Sequence, residues 1–318
     1  MRSKSSIAWR IAVLAGAALL VGVVAAIGFV YLAPEQAMRL AMDGERSRAG
    51  LVRKQIDLPD GLHFVYLEGG QGEPLVLLHG FGADKDNFTR VARFLTPHYR
   101  VIVPDQLGFG ESAHPSDADY APIAQAERLQ VLAQALGITK LHLGGSSMGG
   151  HIAMTYAALH PAQVESLWLL DPGGVWSAPE SELQKSIRET GRNQLLVRNE
   201  DEFAQTFAFA MSDPPFIPRP MLDVLARERI RNHGLELRIF EQLRGDSVEQ
   251  RVTGMTTPTL IVWGEKDRGI NVATAEVLHK LMPNSQVIVM RGIGHLPMIE
   301  RPRESAEDYL RFRARGAR

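Results

Sequence analysis

The chain has 318 residues, 45% of them hydrophobic and 22% charged, the profile of a packed globular protein rather than a disordered one. With 35 basic and 36 acidic residues the formal charge is −1, so the basic excess of a nucleic-acid binder is missing and no nucleic-acid partner is expected. The absence of cysteine excludes a disulfide scaffold, a thiolate nucleophile, an Fe–S cluster and a Cys-ligated zinc.

The first 33 residues depart from that average. They hold Arg2, Lys4 and Arg10 and no acid, which leaves the rest of the chain mildly acidic. Ile11 to Ala33 reads IAVLAGAALLVGVVAAIGFVYLA, without a charge. A helix of that length, at ~1.5 Å per residue, reaches roughly 35 Å and crosses a bilayer with some tilt. Trp9 and Tyr31 fall near its two ends, at the depth amphipathic aromatics favour. We expect residues 1–33 to be a single-pass N-terminal membrane anchor. A cleaved signal peptide with Val24-Ala25-Ala26 as its small-residue site is the alternative, but the apolar run continues to Tyr31. The leading basic residues predict that the body of the chain lies on the extracytoplasmic side, periplasmic in a bacterium. Arg39, Arg46 and Arg48 follow closely and weaken that asymmetry. Ala18, Gly22 and Ala26 form a small-residue stripe, which alanine-rich composition explains without helix pairing.

Residues 34–50 open on a proline and end at a glycine, which predicts a juxtamembrane helix within a segment spanning 34–53. Two strands follow at 55–58 and 62–67, joined by a turn at Pro59-Asp60-Gly61. Short runs rich in Val, Leu and Ile then recur at 75–78, 101–103, 141–143, 167–170, 259–263 and 287–290. Strands covered by helices on both faces read this way. Helical segments separate them at 88–95, 123–136, 148–159, 273–281 and 302–313, so the pattern predicts an open, doubly wound α/β sheet. Between Asp171 and Pro258 no strand candidate occurs, and a structureless loop of that length is improbable. Helical pieces at 180–190, 200–210, 220–231 and 234–244 make 172–257 a helical cap, or lid, inserted into a core of 54–171 and 258–318.

Gly145-Ser146-Ser147-Met148-Gly149 is a G-x-S-x-G motif between an expected strand and an expected helix, the setting of a nucleophile elbow. It makes Ser147 the nucleophile; centring the motif on Ser146 would put Met148 where a glycine belongs. A serine needs a base, and the base needs a group to orient it. In this chain order the acid precedes the histidine. His279 and His295 lie beyond the cap; His279 falls within a helix, whereas His295 sits in a glycine-flanked loop after the last strand and is the expected general base. Asp267, after the 259–263 strand, is the expected acid, and Asp171, at the end of the 167–170 strand, is its competitor. Glu265 reads as solvated and Asp105 as ordering its own turn. An oxyanion needs two backbone donors. We expect them from Met148, at a helix N-terminus, and from Phe81 in the loop His79-Gly80-Phe81-Gly82.

Together with Asp105-Gln106-Leu107-Gly108-Phe109-Gly110-Glu111-Ser112, these motifs resemble the α/β-hydrolase superfamily over about residues 50–313. His79–Gly82 with the following Ala83-Asp84-Lys85-Asp86, Ser147-Met148-Gly149-Gly150 and Glu300-Arg301-Pro302 are most similar to membrane-anchored monoacylglycerol lipases and bacterial lipase/esterases. The resemblance implies a Ser147–His295–Asp267 triad that hydrolyses a lipid ester through an acyl-enzyme, without metal or cofactor. Ser147 separates the chain from the haloalkane dehalogenase and epoxide hydrolase branches, which use aspartate there. Serine-dependent carbon–carbon bond hydrolases of aromatic ring-cleavage products are similar at Ser147–Gly150 and Pro172-Gly173-Gly174, and stay as the alternative. The membrane segment favours the lipid ester. A non-catalytic member of the fold would have lost part of the triad. The arginines at 311, 313, 315 and 318 read as a solvated helix end.

Overall fold

The computed structural model describes residues 4–58 and 61–316. Helix α1 (Lys4–Leu32) leads through Ala33 into α2 (Pro34–Arg48), with Pro34 at the first helical position, where its missing N–H costs nothing. Side chains 9–27 of α1 are exposed, and Trp9–Leu32 is long and apolar enough to cross a membrane. Gly50, at φ 66°, ends the helical run. Strand β1 (Leu51–Asp57) then pairs antiparallel with β2 (His63–Gly69) from Leu51↔Gly69 to Asp57↔His63. It begins four residues earlier than its sequence suggests, because Arg53, Lys54 and Gln55 give this exposed edge strand no apolar signature. Of the turn expected at 59–61, Pro59 and Asp60 lie outside the described residues; Gly61 has φ 83° and donates its N–H to the Leu58 carbonyl.

The central strands are β3 (Pro74–Leu78), β4 (Arg100–Pro104), β5 (Leu141–Ser146), β6 (Val164–Leu170), β7 (Thr259–Gly264) and β8 (Ser285–Met290). Sheet order is β1-β2-β4-β3-β5-β6-β7-β8; every pair from β4 onward is parallel, and β2 runs antiparallel to β4. The covering helices include α3 (Thr89–Ala92), which follows a 3₁₀ turn at Lys85–Phe88, then α4 (Pro122–Ala135) and α5 (Met148–Leu159). The single helix expected over 88–95 is this shorter pair, started early by the Asp84 carboxylate accepting the Asp86 N–H at 2.8 Å.

Four helices and no strand among the described residues separate β6 from β7: α6 (Glu182–Thr190), α7 (Glu200–Ala210), α8 (Arg219–Arg244) and α9 (Glu249–Val252). The two helices expected across 220–244 are one, with Gly234 inside it. An interior glycine costs about 1 kcal/mol relative to alanine. Here the buried pair Arg229–Glu236, at 2.8 and 3.1 Å, brackets the glycine and holds the helix across it. After β7 come α10 (Thr274–Leu281), α11 (Pro297–Glu300) and α12 (Pro302–Gly316).

Two apolar layers sandwich the sheet. One includes Leu143, Ile152, Tyr156 and Trp263; the other includes Leu77, Val101, Trp168 and Tyr309. Trp168 is fully buried and stacks on Tyr309 at 4.8 Å, which fastens α12 to the sheet. Trp168→Ala therefore empties a large site in a packed layer, and we expect it to cost about 3–5 kcal/mol in urea-induced unfolding. A loss below about 1 kcal/mol would mean that α12 does not share the core's cooperativity.

Candidate active site

The parallel strands β5 to β8 end on one side of the sheet, and the residues singled out in the sequence sit at those ends. Ser147 has φ 54° and ψ −116°, a conformation unfavourable for any residue with a Cβ. The turn closes only because its flanks carry no side chains. A Cβ on Gly145 would lie 2.2 Å from the Gly149 carbonyl oxygen, and one on Gly149 would lie 2.1 Å from that of Leu78. The Ser147 N–H donates to the Leu170 carbonyl at 3.0 Å, and its own carbonyl accepts from Gly173 and His151. The neighbouring Ser146 is fully buried, outside the cavity that Ser147 lines.

His295 lies in the loop after β8, its backbone N–H donating to the Ala210 carbonyl at 2.7 Å. Its Nδ1 is 2.7 Å from Asp267 Oδ2, and Asp267 Oδ1 accepts from the Gly269 and Ile270 N–H groups at 2.7 and 3.0 Å. Burial disfavours the imidazolium, but the Asp267 carboxylate, with Glu300 behind it, outweighs this and holds His295 above the ordinary histidine range. Ser147 and His295 line the same cavity, with no direct hydrogen bond between them.

Asp171 does not bond His295. It is fully buried at the end of β6, and its Oδ1 accepts the Gly264 N–H at 2.9 Å. Glu265 is exposed and accepts from the Gly292 N–H. Asp105 is buried away from the serine, binding the Lys85 and Glu111 N–H groups and the Lys85 ammonium. His279, in α10, is hydrogen-bonded to Ser285 at the start of β8 and does not line the cavity.

The Phe81 and Met148 amides flank Ser147 and have no hydrogen-bond partner among the described residues. Gly80 brings the Phe81 loop close, since a Cβ there would sit 3.3 Å from the Ser147 Cβ. His79 fixes that loop: its Nδ1–H donates to the Gly80 carbonyl at 2.8 Å, and its Nε2 accepts the Gln106 N–H at 3.0 Å. Burial lowers its pKa and keeps the ring neutral, as both bonds require.

One structural residue carries no signal in composition or periodicity. Glu300 accepts from Gly294 N–H through Oε1, and from Ser212 and Asp213 N–H through Oε2, at 2.8–3.0 Å. It joins the histidine loop to the chain leaving α7. Its position five residues after a glycine-flanked histidine is the cue.

Two cavities, of about 680 and 480 Å³, meet at Phe81, Ser147 and His295. The larger is lined by Trp176, Ile187, Phe240 and Leu243 among others, the smaller by Met38 and Met42 of α2 with Phe207, Phe216 and Met221.

Lipase 1 of Psychrobacter immobilis is 45% identical over 278 residues, covering 85% of this chain and 86% of that protein. The monoacylglycerol lipase ABHD6 of Rattus norvegicus is 28% identical over 316 residues, covering 95% and 94%. The crystal structure of a bacterial membrane phospholipase A matches with a TM-score of 0.86 and 41% identity, over 95% of this chain and 97% of that one. Residues 73–302 match the alpha/beta hydrolase fold family, and the chain belongs to it.

Proposed function

We propose that this protein is a membrane-anchored carboxylic ester hydrolase that cleaves lipid esters, monoacylglycerols and other short-to-medium-chain acyl esters among them. The observation that carries the reading is the 2.7 Å His295–Asp267 contact beside a strained serine and two unpartnered amides. Similarity to a lipase, a monoacylglycerol lipase and a membrane phospholipase A supports the lipid ester over a carbon–carbon bond substrate.

In this reading His295 Nε2 takes the Ser147 proton as Oγ attacks the ester carbonyl, while Asp267 holds the ring with Nδ1–H toward itself. The Phe81 and Met148 N–H groups receive the oxyanion, and the positive end of α5 adds to their field. The tetrahedral intermediate collapses, His295 returns the proton to the leaving alkoxide, and the alcohol departs. Water, deprotonated by the same imidazole, then releases the acid. The helices of 172–257 form the cap, and the two apolar cavities receive the two sides of the ester. Residues 1–33 are the anchor, with α2 as the juxtamembrane segment and the catalytic body extracytoplasmic.

Ser147→Ala should abolish release of fatty acid from monoacylglycerol, and Asp267→Asn should lower kcat by about 10⁴. Full activity in Ser147→Ala would sink the reading. A panel of mono-, di- and triacylglycerols, phospholipid and a ring-cleavage dienone separates the substrate classes, since turnover of the dienone alone would favour carbon–carbon cleavage.

The base works only as neutral imidazole. Because Asp267 raises its pKa, activity on the acid side should fall with a midpoint above about 6.5 in a kcat/KM profile. A midpoint clearly below that value would contradict the assignment of the base.

Full-length protein should sediment with membranes and need detergent, while residues 34–318 should be extractable without it. A full-length protein soluble in plain buffer would overturn the anchor.

A further inference from the structure

Among the described residues, two non-glycine positions have positive φ: Ser147 and Asp171, at 47°. The first is explained by the elbow. The second is not, and backbone strain tends to persist where a site requires it. Asp171 is held on both sides: its N–H donates to the Val262 carbonyl at 3.0 Å, and its Oδ1 accepts the Gly264 N–H. The other oxygen, Oδ2, is buried and receives no hydrogen bond. A carboxylate oxygen in that situation is costly to bury; the hydroxyl of a carboxylic acid is not, provided it faces an acceptor.

Such an acceptor is present. One oxygen of Asp171, one of Asp267 and a ring nitrogen of His295 all lie within 4.8 Å of one another. The ionisable groups facing Asp171 are Asp267 from the loop after β7, His295 from the loop after β8 and, farther off, Glu300 from α11. The end of β5 beside it carries Ser147. Two carboxylates this close, and this far from water, cannot both ionise. Asp267 takes two backbone N–H groups and the imidazole, all stabilising its charge, whereas Asp171 takes one N–H.

We propose that Asp171 is a neutral positioning residue, whose carboxylic acid donates a hydrogen bond to Asp267 and keeps that carboxylate aimed at His295 Nδ1. The pair carries one proton, on Asp171, and one negative charge, on Asp267. Burial first, then the charge of Asp267 and the hydrogen bond to it, push the Asp171 carboxyl well above the usual carboxylate range. Oδ2 thereby gains the partner it otherwise lacks, and Asp267 has its lone pairs engaged from three directions. The proposal rests on the triad reading above.

The test uses full-length protein in detergent, with Ser147→Ala and Asp267→Asn alongside. Asp171→Gly removes the donor without straining the positive-φ backbone, and should lower kcat about 10–100-fold with KM changed less than about threefold. Asp171→Asn, whose amide can donate to Asp267 while its oxygen accepts the Gly264 N–H, should recover most of that loss. The acid-side midpoint of kcat/KM should stay in place in Asp171→Asn, because a neutral group replaces a neutral group. Were Asp171 anionic, the same change would remove a negative charge near the imidazolium and lower the midpoint by about one unit.

Difference infrared spectra at pH 7 should contain a protonated-carboxyl C=O band that is missing from Asp171→Asn. This readout needs neither catalysis nor a folded glycine variant. A lowered midpoint in Asp171→Asn, or no such band in the wild type, overturns the neutral acid. Wild-type kcat in Asp171→Gly overturns the positioning role. Should Ser147→Ala and Asp267→Asn keep full activity, the triad reading fails instead, while the infrared band still reports the proton on Asp171.

Discussion

The turn at Ser147 is the constraint on which the rest of the site depends. A strand must reverse into a helix within a few residues and leave one hydroxyl projecting from the bend. Gly149 lies against the carbonyls of Leu78 and His79, and Gly145 against that of Gly149 itself. The backbones of β3, β5 and α5 are therefore in direct contact at this point. That contact brings the loop after β3 beside the serine and carries Phe81 with it. It also sets the start of α5, so the Met148 amide lies where the helix field is strongest. A methyl group at either glycine would push Ser147 away from the Phe81 and Met148 amides.

Around that turn the loops are fixed by buried charges whose lone pairs are taken by backbone N–H groups. Asp267 binds two amides and the imidazole. Glu300 binds three amides, tying the histidine loop to the end of α7. Asp105 binds two amides and Lys85, tying the loop after β4 to the loop after β3. A buried charge satisfied in this way locks the chain that supplies its donors, because losing one bond leaves charge unpaired in a low dielectric. The site is consequently rigid at the strand ends, where alignment matters, while its apolar walls come from the helices between β6 and β7.

The alternation of buried strands and helices was legible because parallel strands covered on both faces have a composition no other element shares. The elbow was legible because its glycines are steric necessities. Boundaries failed where tertiary contacts overrode local signals. Strand β1 is polar on an exposed edge and buries only Leu51, so its composition marks its end but not its start. Helix α8 continues through Gly234 because Arg229 and Glu236, seven residues apart, pair across it, a contact periodicity does not foresee. Asp171 was visible as a competitor for the acid position, but its relation to Asp267 depends on β6 and β7 being neighbours, which is information held by the sheet order.

Chain order explains how the apolar helix α1 bears on the site. Only Ala33 separates α1 from α2, and α2 is not a free linker. Its Ala37 and Met38 pack against Met221 of α8, and Arg46 bonds Asp86 at 2.8 Å, immediately after the loop that carries Phe81. The hydrogen bond to the Asp86 carboxylate holds the Arg46 guanidinium above its ordinary range against the opposing effect of burial, so this is a partly buried, two-pronged contact rather than a loose surface pair. The same helix contributes Met38, Ala41 and Met42 to the smaller cavity, which Ser147 and His295 also line. Apolar side chains of α2 thus line part of the cavity that Ser147 also lines, and α2 is both wall and clamp there. Charged residues, Glu45, Arg48 and Arg229 among them, share the lining with these apolar side chains. Chain order, with the apolar helix first and the wall helix directly after it, is what brings the end of α1 next to this cavity wall.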